Sequence, residues 1–218
     1  MLNAADVVRD SGDSSRSEFL SAKLDKLILQ LCDSSSARRR SAAKQIGKLG
    51  DPAAGRGLLE ALKVEVVDAR TWETQYDMII ALGSCRQSAA VSFLKHLVDV
   101  GFKFDSLYGA VGDSIIRIAL ADDRFKEELR WCLRVAQPDL IDGAMKAMWD
   151  EEVSLDSDLS SQMVEYLLSQ DPYAGVRYWA ALAARRWKGE ASLRFLEDCA
   201  VGPRGDVAGA ARESLNLR

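Results

Sequence analysis

Histidine and cysteine are the side chains best suited to catalysis near neutral pH and to metal binding. This sequence holds one histidine and four cysteines. His96 sits in Phe93-Leu94-Lys95-His96-Leu97-Val98, beside the core positions of a helix. A general base needs a nucleophile or carboxylate set next to it, and no spacing here supplies one. His96 therefore reads as a partly exposed structural residue. Cys32, Cys85, Cys132 and Cys199 are far apart and form no CxxC pair, so zinc lacks a ligand set. Each cysteine stands among apolar helical residues and reads as a reduced core filler. A Gly-rich phosphate loop, a nucleophile elbow and a metalloprotease helix motif are all missing. The sequence points to no catalytic residue, no metal and no cofactor.

The remaining chemistry is that of recognition. Arg38-Arg39-Arg40, with Lys44 and Lys48, is a basic cluster. It is either a solvated surface or a contact for an acidic protein partner or a phosphate. Trp72, Tyr76, Tyr108, Tyr178 and Trp179 are either helix core or anchors for a partner. In Tyr108-Gly109-Ala110-Val111-Gly112-Asp113-Ser114 two glycines stand inside a helix, where each costs about 1 kcal/mol against alanine. They imply a close helix contact or a partner lying against the backbone. Residues 139–171 are sharply acidic, with Asp142 among nine carboxylates and Lys146 the lone opposing charge. A groove lined by such helices is expected to be basic at both ends and acidic between, a pattern that orients a protein partner. The candidate partner-binding set is Arg39, Trp72, Gln75, Tyr76, Tyr108, Asp113, Asp142, Arg177 and Tyr178, centred on Tyr108–Asp113.

These residues must be carried on helices. Four prolines in 218 residues and an abundance of Ala, Leu, Arg, Lys and Glu favour helix throughout. Residues 1–16 read as a flexible leader, and residues 17–218 as a single repeat domain. Apolar residues at three- and four-residue steps predict helices over 17–31, 37–49, 53–63, 71–82, 88–100, 105–120, 122–135, 138–149, 159–168, 172–187, 191–200 and 206–215. Leu49 faces inward in this scheme, and Gly83 is a helix C-terminal cap. Short loops make six antiparallel pairs. Gly47 and Gly83 lie 36 positions apart, and Val176 and Val207 lie 31 apart, which suits a HEAT-type array. The net charge of −4 argues against nucleic acid as partner. No stretch has signal-peptide character or the length to cross a bilayer, so the expected location is the cytoplasm.

The segment Ala37–Asp51 resembles the bacterial HEAT-like repeat named after phycobiliprotein lyases. In that family an Asp-rich turn precedes Val-Arg, a pair of alanines and a Leu-Gly ending. Asp171-Pro172, Val176-Arg177 and Ala180-Ala181 match the same frame, Asp206-Val207 with Ala210-Ala211 match more weakly, and Ala81-Leu82-Gly83 keeps the ending. The resemblance implies an all-α fold, a right-handed α-α superhelix of about six antiparallel helix pairs. It also implies an inter-repeat ion pair for Arg39 and Arg177. Such repeats serve chromophore lyases, modification enzymes, adaptors and immunity-type binders, so the fold alone does not fix the function. The reading that follows is a monomeric, non-enzymatic protein–protein interaction module or scaffold that binds a partner protein in the solenoid groove, without membrane or nucleic acid. The alternatives are a DNA-repair glycosylase-like solenoid enzyme, using Trp72, Tyr108 and Asp113, and an immunity or regulatory protein that blocks a toxin or enzyme.

Overall fold

The computed structural model describes residues 20–218. The leader expected over 1–16 lies outside the described residues. Twelve α-helices follow one another, with no strand among the described residues. They are α1 (residues 20–30), α2 (Ser36–Leu49), α3 (Gly55–Glu65), α4 (Trp72–Ser84), α5 (Val91–Val100) and α6 (Ser106–Ala121). Then come α7 (Phe125–Val135), α8 (Pro138–Asp150), α9 (Ser157–Ser169), α10 (Arg177–Ala183), α11 (Glu190–Ala200) and α12 (Gly205–Asn216).

The ends of these helices are written in local chemistry. Gly50 takes the left-handed conformation (φ 62°) and donates its N–H to the Ile46 carbonyl, closing α2. Asp51 then accepts from the Ala53 N–H, and Pro52 opens a short 3-10 turn into α3. Gln137 and Asp156 accept from the third N–H of α8 and α9, at Leu140 and Leu159. Four other bends use left-handed residues that carry a side chain, Arg86, Asp123, Ala136 and Glu152.

Three boundaries differ from expectation for visible reasons. The helix expected from Asp122 starts at Phe125, because Asp123 is left-handed and Arg124 donates back to the Ala119 carbonyl. The helix expected over 172–187 is α-helical only over Arg177–Ala183. Asp171 captures the Tyr173 and Ala174 amides in a turn before it, and residues 184–186 tighten to 3-10 after it. Gly83 is not a cap: α4 runs on to Ser84, and Cys85 closes it.

The even-numbered helices form one layer. α2 packs on α4, α4 on α6, α6 on α8, α8 on α10 and α10 on α12. The odd-numbered helices cover their other side, and α3 and α5 hardly meet within that outer layer. Buried apolar residues form one continuous core from Leu24 to Ala211. Small residues set the spacing of the inner layer. A Cβ on Gly83 would stand 2.7 Å from the Ser114 Cα, and one on Gly112 1.9 Å from the Leu140 carbonyl oxygen. One on Gly143 would stand 1.9 Å from the Gly109 carbonyl oxygen. The glycines of α6 thus answer to helix contact with α8. The inner helices thus pack closely along their layer, α2 to α12, while α3 and α5 of the outer layer rest on α4 and α6. Leu49, expected inward, is exposed at the end of α2.

Candidate binding groove on the inner helices

Residues three or four apart lie on one face of a helix. That period builds the groove: Tyr76, Ile80 and Ser84 on α4, Gly109, Asp113 and Arg117 on α6, and Asp139, Gly143 and Lys146 on α8. Trp179 of α10 closes one end, and Asp142 lies beside it. The depression holds about 600 Å³. A second depression of about 400 Å³ shares Asp142 and Trp179 and continues past Tyr178 to Arg204, just before α12.

Most charges in the groove are paired within the chain. Arg117 reaches Asp113 at 2.7 Å and both Asp150 and Glu151 at 2.5 Å. Arg86 joins Glu151 at 2.8 Å. Lys146 Nζ lies 2.6 Å from Asp150 and 3.9 Å from Asp113, and 5.5 Å from the centre of the Trp179 ring. Burial works against the Arg117 charge, but Asp113 and Asp150 outweigh it and the guanidinium pKa is raised. Toward the N-terminal end Arg40 pairs with Asp77 at 2.8 Å and Glu73 at 2.5 Å. The middle of the groove is therefore a mixed-sign network, not the plain acidic zone expected from residues 139–171.

Asp139 and Asp142 are the exception. Neither enters an ion pair among the described residues, and Asp139 receives only the Gln137 side-chain amide at 3.1 Å. Asp142 Oδ1 is shut off from solvent and accepts no hydrogen bond. Burial pushes the Asp142 carboxyl up to about 6, helped by Asp139 and opposed by Arg204. Burial, with Asp113 adding to it, also raises the Tyr76 hydroxyl.

Of the expected set, Tyr76, Asp113 and Asp142 come together in this groove, and Tyr178 borders its extension, edge-on to Trp179 at 5.1 Å. The others sit elsewhere. Arg39 clasps Glu65 at 2.6 and 2.8 Å and donates to the Asp33 and Ser34 carbonyls. Gln75 donates to the Glu65 carbonyl at 3.2 Å, at the end of α3, and to the Asp68 carbonyl at 2.9 Å, just past it. Arg177 donates to the carbonyls of Leu167, Leu168 and Gln170 at the end of α9. These buried donors satisfy helix-end carbonyls that lack partners of their own. Trp72 stacks on Phe104 at 5.1 Å, and the Tyr108 hydroxyl accepts from the Phe102 N–H at 3.1 Å, so both fasten the 101–105 loop. Arg86, Arg117 and Lys146 were missed as site residues. Their signal was present for two of them in the four-residue spacings Asp113–Arg117 and Lys146–Asp150.

The thiols offer no second chemistry. Burial pushes Cys85 and Cys199 up to about 11 and Cys132 to about 12, which keeps them protonated. Cys32, expected in the core, is exposed at the end of α1. No helix among the described residues is long and apolar enough to cross a membrane.

No curated protein matches the chain. Residues 38–63, which hold most of α2, the Asp51-Pro52 turn and most of α3, match the family model described as the PBS lyase HEAT-like repeat, the type that the sequence of this helix pair resembles.

Proposed function

We propose that the protein is a non-enzymatic interaction module that holds a segment of a partner protein along its inner helices. The observation that carries this reading is the groove across α4, α6, α8 and α10, about 600 Å³ with Tyr76 and Trp179 on its walls and charged side chains of both signs between them. Rings of this kind, partly open to water, are what partner segments use as anchors. HEAT-like repeats commonly mediate protein interactions, which agrees with it. The basic side chains of the inner face are held by carboxylates of the same chain, which leaves them poorly placed to track a nucleic-acid backbone.

Photo-crosslinking tests the reading. A crosslinking amino acid at Ile80 in the groove is expected to capture a defined protein, whereas one at exposed Leu193 of α11 is not. The partner, once purified, is expected to bind at least tenfold more weakly to a Tyr76→Ala protein. Capture only from Leu193, or retention of a labelled DNA duplex at low salt in place of a protein, would overturn it. A partner enzyme or toxin that loses activity in the complex would mark a blocking role; one that stays active would mark an adaptor.

A further inference from the structure

Asp142 and Asp139 enter no ion pair among the described residues, in a groove whose neighbouring cations are engaged by other carboxylates. Lys146 and Arg117 belong to Asp113, Asp150 and Glu151, and Arg204 to Asp206. Asp142 is partly buried, and an Oδ1 cut off from solvent without a hydrogen-bond partner is costly unless something else completes it. Asp142 faces two depressions at once, and in both of them the indole of Trp179 stands beside it. Tyr178 continues the aromatic wall along the second depression. A carboxylate pair against an aromatic face suits a guanidinium or ammonium group, which can meet the acid through charge-assisted hydrogen bonds and the rings through their faces.

We infer that the Asp139–Asp142–Trp179 corner of the groove is a socket for a basic side chain, foremost an arginine, of the partner segment. This rests on the protein-binding reading above and names the residue type that it recognises. Arginine fits better than lysine, because its planar fork can reach both carboxylates while stacking on the indole. The charge pattern also excludes an acidic insert here, which would meet two unpaired carboxylates.

The probe is a short acetylated and amidated peptide, Ala-Ala-Arg-Ala-Ala, set against the same peptide with citrulline, which keeps the shape and loses the charge. Binding is followed through the Trp179 indole N–H resonance of the full chain. The arginine peptide is expected to shift this resonance saturably, and the citrulline peptide at least tenfold more weakly. Asp142→Asn is expected to weaken the arginine peptide at least tenfold while the protein remains folded, and Trp179→Leu, followed through the Gly143 backbone amide resonance instead, to weaken it severalfold. Equal binding of arginine and citrulline peptides, or unchanged binding to Asp142→Asn, would overturn the socket. A groove partner that binds wild type and Asp142→Asn alike would also overturn it, while leaving the protein-binding reading in place. An arginine peptide that binds a protein with no groove partner would support the socket and sink the protein-binding reading.

Discussion

The Asp142 carboxyl carries a cost that the fold does not relieve. Its folded pKa of about 6 lies above the ordinary aspartate value of 3.8, with burial the main cause and Asp139 the second. The fold thus favours the protonated form. That contribution to stability is fully present below about pH 4 and is lost as pH rises through about 6. Asp142→Asn removes the loss, so the variant is expected to exceed wild type in stability near pH 7.5 by up to about 2 kcal/mol. The gap should close below about pH 4, where wild type is protonated too. Urea unfolding of both proteins across that range measures it, and identical midpoints near pH 7.5 would contradict it. A substitution that stabilises the chain while weakening arginine binding is the mark of a functional residue rather than a structural one. Cys32 offers a second test at this scale. In the native protein a maleimide should label this thiol rapidly and spare Cys85, Cys132 and Cys199, and all four should react after denaturation.

At the scale of helices, the inner layer depends on where side chains are missing. Gly112 and Gly143 face backbone oxygens of the opposing helix, and backbone cannot rotate aside as a flexible side chain would. Gly112→Ala is expected to cost at least about 3 kcal/mol by forcing α6 and α8 apart. Gly209 on α12 has open space around its Cβ position, and Gly209→Ala should gain about 1 kcal/mol through helix propensity alone. Chemical denaturation separates the two, and similar effects at both sites would refute the packing account. Gly83 shows why this was only partly legible beforehand. A glycine after Ala-Leu looks the same along the chain whether it ends a helix or admits a neighbour, and only the approach of Ser114 decides. Gln75 and Arg177 pose the same difficulty. A polar side chain on an inner helix can face a partner or the carbonyl ends of the helix before it, and the sequence does not say which.

For the whole molecule, the two layers differ in how many neighbours each helix has. α4, α6 and α8 are flanked within their own layer on both sides, whereas α3 and α5 rest chiefly on their inner partners. Amide hydrogen exchange is expected to be slowest in α4, α6 and α8 and markedly faster in α3 and α5, because local opening of an outer helix exposes fewer contacts. Uniform protection across both layers would contradict a stack whose strength lies in its inner face. The groove spans those same slow helices, so a partner would meet a surface that is already rigid, at a lower entropic cost of binding.

The sequence by itself determined that the chain is helical, where nearly every helix lies, and that the helices repeat as pairs. Those properties follow from periods of three and four residues and from turn chemistry such as Asp51-Pro52, all of it local. It also singled out Tyr76, Asp113 and Asp142 from their residue types and placement. The tertiary structure alone decided which charges cancel and which remain. Arg117 reaches across more than thirty positions to Asp150 and Glu151, while Asp142, with Asp139 three positions before it, enters no ion pair among the described residues. Whether a charge is paired depends on distances between helices far apart in the chain, and the spacing of residues along it carries no record of those distances.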